Sequence, residues 1–96
     1  MAARERFIAA LRGAGFAPLP SAANFVLLPV GDSRAAHAAL RERGILVRHF
    51  VGLPGIGDAL RISIADWAVM QRVLDALLAT LPHEARPFNA GERADA

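Results

Sequence analysis

The stretch ILVRHFVGLPGIGDALRISI holds two arginines, Arg48 and Arg61, 13 positions apart. Each lies in an apolar, β-prone run where a strand would ordinarily carry Val or Ile. A guanidinium does not give up its proton in a protein, so a sheltered one requires an anion. That anion can be a protein carboxylate, which makes an ordinary ion pair. It can equally be the carboxylate or phosphate of a ligand, which arginine grips with paired N–H donors.

Other residues that could do chemistry fall away one by one. GLPGIGD is glycine-rich, but it lacks the Lys-Ser/Thr ending of a phosphate loop and precedes a strand instead of a helix. It reads as a flexible turn. His37, His49 and His83 are far apart in the chain, with no carboxylate or cysteine at ligand spacing, and read as solvated histidines. Ser21, Ser33 and Ser63 stand in no nucleophile motif. Trp67 reads as packing.

The elements that must position the arginines follow from periodicity. Phe7, Ile8 and Leu11 mark a helix over residues 3–13, stopped by Gly13 and Gly15. NFVLLPV, from Asn24 to Val30, is a short apolar run that suits a buried strand. Asp32 or Ser33 can cap a helix to Arg43, with Ala36, Ala39 and Leu40 inward and Gly44 as the stop. ILVRHF is a second strand and VGLPGIGD a loop. ALRISI, Ala59 to Ile64, is a third strand in which Leu60, Ile62 and Ile64 alternate with Arg61 and Ser63. Asp66 can cap a last helix whose stripe is Met70, Val73, Leu74, Leu77, Leu78 and Leu81. The order predicts an α+β fold, an αβαββα sandwich with a small, mostly antiparallel sheet and helices on one face. Arg61 and Ser63 then point away from the helices, where something else docks. Residues 1–82 form one domain, and the polar stretch 83–96 reads as a loose tail.

Composition limits the function classes. All 11 basic residues are arginines, balanced by 9 acidic residues and spread along the 96-residue chain. A nucleic-acid surface would gather them on one face with stacking aromatics, so no nucleic-acid partner is expected. No apolar run is long enough to span a bilayer, and MAARERFIAAL lacks the apolar core of a signal peptide. With no cysteine, disulfide and thiolate chemistry are out, and the cytoplasm is the expected compartment.

Three motifs in order carry a resemblance: Pro20-Ser21-x-x-Asn24-Phe25, Gly44-Ile45-x-Val47-Arg48 and Leu60-Arg61-Ile62-Ser63. Together, over roughly residues 3–81, they resemble the C-terminal small domain of class I/II (fold type I) pyridoxal-phosphate aminotransferases. Within that family they most resemble the histidinol-phosphate aminotransferases of histidine biosynthesis. After RISI the family usually continues Gly-Thr, where Ala65-Asp66 stand here.

The resemblance implies that Arg61 binds the substrate α-carboxylate. Arg48 would lie beside it and help hold the substrate phosphate, and Asn24 would lie near the mouth of the active site. The ligand would be an amino or keto acid or a phosphate ester. Pyridoxal 5'-phosphate, its lysine and the Asp that pairs its ring nitrogen would belong to a large domain, in the same or a neighbouring chain, and a homodimer is a further expected partnership. Transamination needs a lysine amine to carry the cofactor aldehyde. This chain has no lysine, so it is expected to bind no cofactor covalently, to hold no catalytic residue of its own and to be inactive alone. It reads as a fragment or a detached domain of an aminotransferase; the alternative is a non-catalytic small-molecule-binding or interaction module.

Overall fold

The computed structural model describes residues 2–19 and 23–81. Pro20 and Ser21, and the tail expected over 83–96, lie outside the described residues. The elements are α1 (Ala3–Gly13), β1 (Phe25–Pro29), α2 (Ser33–Glu42), β2 (Arg48–Leu53), β3 (Gly57–Ser63) and α3 (Trp67–Thr80). The predicted αβαββα order is the observed one. The sheet runs β1-β3-β2, and β3 pairs antiparallel with both neighbours. No helix among the described residues is long and apolar enough to cross a membrane.

The two helices after β-structure start where acidic caps were expected. Asp32 Oδ1 accepts the Ala35 N–H at 3.1 Å, and Asp66 Oδ1 accepts the Val69 N–H at 3.1 Å, each satisfying a donor that has no partner inside its helix. Val26 and Leu28 of β1 and Leu60 and Ile62 of β3 share one face by strand alternation. They join Phe7 and Leu11 of α1, Leu40 of α2 and Met70 and Leu77 of α3 in one buried cluster. All three helices therefore cover the same side of the sheet.

The structure departs from the sequence expectation in three places. The second strand begins at Arg48, not Ile45. Ile45 is used to close α2: Gly44 adopts φ +80°, the Ile45 N–H donates to the Leu40 carbonyl at 2.9 Å, and the Ile45 side chain is buried. VGLPGIGD is not a free loop. Val51–Leu53 continue β2 past an irregularity between Phe50 and Leu53, and Gly57 already pairs with Leu53, so the stretch is a tight hairpin. In α3, Leu78 is 43% exposed while Ala76 is buried, because the helix is turned to place Ala76 beside Ile45 and Arg43.

Candidate functional site

Arg61 occupies the middle of β3, the central strand, and Arg48 opens β2. In the antiparallel register their Cα atoms are direct partners, and Leu27 of β1 lies opposite Arg61 on the other side. Alternation puts Phe25, Leu27, Arg61, Ser63, Arg48 and Phe50 on the face away from the helices. At one end this face is closed, with Ala59 and Pro29 buried; at the other, Ser63 and Arg48 are exposed.

The Arg61 guanidinium carbon lies 4.3 Å from the centre of the Phe25 ring, a cation–π contact that steadies a half-buried side chain. Neither Arg61 nor Arg48 has a carboxylate partner among the described residues, where the one ion pair is Arg4–Glu5 at 3.5 Å. Like charges directly opposite on a sheet oppose pairing. The arrangement therefore costs stability within the chain and offers ten N–H donors, five per guanidinium, along one row to an anion.

Asn24 stands just before β1. Its Nδ2 donates to the Ile64 carbonyl at 3.3 Å, and its own carbonyl accepts the Ile64 N–H at 3.1 Å. It closes the β1–β3 ladder at the open end of the face, but by alternation it falls on the other side from Arg61 and Arg48. The structure thus brings the two arginines together and sets Asn24 on the opposite side, at the end of the β1–β3 pair.

Asp58 was not singled out by the sequence, yet it anchors the strands that carry the arginines. Its Oδ2 accepts the Ser33 N–H at 2.9 Å, and its Oδ1 accepts the Gly52 N–H at 3.0 Å. Ser33 is fully buried, and its single hydroxyl proton is shared between the Phe50 carbonyl at 2.9 Å and Asp58 Oδ2 at 3.2 Å. The Ser33 N–H, followed by that of Gly52, holds the Asp58 carboxyl below its ordinary value, outweighing the opposite pull of desolvation. The signal for this role was a lone acid at the end of a glycine-rich turn, close in the fold to a helix start in need of acceptors. His37 and His49, read as solvated and separate, are in fact neighbours, with ring centroids 4.5 Å apart. His83 lies outside the described residues. Among the described residues no three potential metal ligands gather.

The chain and its fold match known proteins. Residues 1–77 match the family model "Aminotransferase class I and II", and the chain belongs to that family. It is 48% identical over 79 residues to histidinol-phosphate aminotransferase 2 of Gluconobacter oxydans, covering 80% of this chain and 22% of that protein. It is 45% identical over 76 residues to histidinol-phosphate aminotransferase of Pseudomonas putida, covering 77% of this chain and 22% of that protein. Two solved structures share the fold. One, from Burkholderia pseudomallei and assigned as an aminotransferase, superposes with a TM-score of 0.68 at 37% identity, over 79% of this chain and 23% of that one. The other, a decarboxylase from Sulfurospirillum multivorans, gives 0.74 at 30% identity, over 83% and 24%. The chain thus spans less than a quarter of the length of these relatives. The family works with pyridoxal phosphate carried on a lysine amine; this chain has no lysine, so its residues do not fit that attachment.

Proposed function

We propose that the chain is the substrate-binding small domain of a pyridoxal-phosphate aminotransferase acting on a phosphorylated amino acid analogue of the histidinol-phosphate kind. The observation that carries this reading is the pair of directly opposed arginines with no carboxylate partner among the described residues. Arg61, fixed on the central strand and backed by Phe25, suits bidentate capture of the planar carboxylate of the amino donor. Arg48, at the start of an edge strand, suits the phosphate that distinguishes the substrate. A large domain in the same or a neighbouring chain supplies lysine and cofactor, the assembly is a homodimer, and the work is done in the cytoplasm. The absence of lysine favours one second reading, in which the same arginines serve a non-catalytic anion-binding or interaction module.

The test uses a full-length enzyme carrying this domain. Arg61→Ala should lower kcat/KM for every carboxylate-bearing substrate, by about 2–4 kcal/mol of transition-state binding in a desolvated site. Arg48→Ala should impair the phosphorylated substrate and largely spare glutamate. An equal loss for both substrates on Arg48→Ala would remove the phosphate role.

A further inference from the structure

His37 lies on α2, one turn after Ser33, and His49 lies on β2, next to Phe50. The Ser33 hydroxyl donates to the Phe50 carbonyl at 2.9 Å, and Asp58 ties the Ser33 and Gly52 N–H groups together at 2.9 and 3.0 Å. These bonds fasten the first turn of α2 to β2. The two imidazoles are therefore held side by side by the backbones that carry them, with their planes tilted by 42°. His49 is exposed and His37 half-buried, so solvent reaches the pair. Among the described residues neither ring has a hydrogen-bond or ion-pair partner.

The spacing has a chemical meaning. Imidazole nitrogens bind zinc at about 2.0–2.1 Å, which puts each ring centre roughly 3.2 Å from the ion. Two imidazoles on neighbouring coordination positions then have centres about 4.5 Å apart at a right angle and about 5.2 Å apart at the tetrahedral angle. The observed 4.5 Å between ring centres matches the first value, so an ion is bridged once side-chain rotation turns one nitrogen of each ring toward the same point. We propose that His37 and His49 form a two-imidazole clamp for a borderline transition-metal ion such as Cu²⁺, Ni²⁺ or Zn²⁺, with water completing the shell. Hard ions are not its ligands, because Mg²⁺ and Ca²⁺ require oxygen donors and the pair presents only nitrogen. Arg34 and Arg41, three positions before and four after His37 on α2, and Arg48 beside His49 add positive charge, which weakens the hold on a cation. The clamp lies on the helix side of β2, so it does not depend on the role proposed for Arg48 and Arg61.

The experiment titrates the untagged full chain with Cu²⁺ and follows heat and melting temperature. One ion should bind per clamp, and Tm should rise by several degrees because the ion bridges α2 and β2. His37→Ala and His49→Ala should each weaken that binding at least tenfold and abolish the Tm rise. His83→Ala should leave both unchanged, and Mg²⁺ should give neither signal. Acid should release the ion, since protons compete for the same nitrogen lone pairs. If His37→Ala disturbs the fold, His49→Ala, at an exposed edge position, decides alone. Cu²⁺ binding at full affinity in His49→Ala, its loss in His83→Ala, or an equal response to Mg²⁺ would each overturn the assignment.

Discussion

The two faces of the three-stranded sheet are built from the same strands and solve different problems. On the helix side, Val26, Leu28, Leu60 and Ile62 are sealed under α1, α2 and α3 in one buried cluster. On the far side, Phe25, Leu27 and Phe50 stay half-buried around two arginines that meet no carboxylate among the described residues. The first face supplies the folding energy, since fully burying one large aliphatic side chain is worth about 1.5–3 kcal/mol. The second sets two cations in register against their mutual repulsion. A single strand, β3, serves both: its even positions hold the domain together and Arg61, between them, inherits their rigidity. Affinity for an anion is thus built on a strand whose place is fixed by burial.

The sharpest way to break this contrast is Leu60→Ala. Leu60 is fully buried at the centre of the sheet, and its truncation should cost about 2–5 kcal/mol in urea unfolding, enough to leave a small domain marginal. Leu27→Ala, across the strand pair from Arg61, should cost less than half as much, because Leu27 is only half-buried. Equal losses would mean that the far face is a second core and not a binding surface.

A smaller effect concerns the clasp that keeps the strands in register. Ser33→Ala removes a buried hydroxyl from the Phe50 carbonyl and should cost about 1–2 kcal/mol. Asp58 gives the clasp a pH signature. Its folded carboxyl titrates below its ordinary value of 3.8, chiefly because it accepts the Ser33 N–H. Its contribution is therefore complete above that value and is lost as pH falls through the lower folded value. Comparing the chain with Asp58→Asn from neutral pH downward should give a constant stability difference that shrinks only in the acid range. A difference that shrank already near neutrality would assign the clasp to another group.

Local pattern carried part of this in the sequence and stopped where pairing became long-range. The alternation Leu60-Arg61-Ile62-Ser63 revealed β3 and which side Arg61 faces, and Asp32 and Asp66 announced their helices. Ile45-Leu46-Val47 looked like strand, but Ile45 is drawn into the end of α2 by a bond to Leu40, a competition that β-propensity does not register. The glycine-rich turn looked loose because its restraint comes from Asp58 and from pairing across the hairpin. The meeting of His37 and His49 depends on how α2 packs on β2, and no spacing in the chain encodes it. The arginine pair was legible by position, and its directly opposed register only from the fold.

The smallest expected effect is the most discriminating. Arg48→Glu turns two like charges directly opposite each other into an opposite pair. Such cross-strand pairs are worth roughly 0.2–1 kcal/mol, so the variant should be slightly more stable than the natural chain at low salt. The gain should fade as salt is added, because Arg48 is exposed and its interactions are screened over about 10 Å at 0.1 M. The same substitution should weaken inorganic phosphate binding by the chain, since one guanidinium is lost and the other is neutralised. Stability and binding would then move in opposite directions at one residue, which is what a position kept for a ligand and not for the fold should do. A variant clearly less stable than the natural chain would show that Arg48 supports the sheet. Phosphate affinity left unchanged in a more stable variant would place the anion elsewhere and leave Arg61 to act alone.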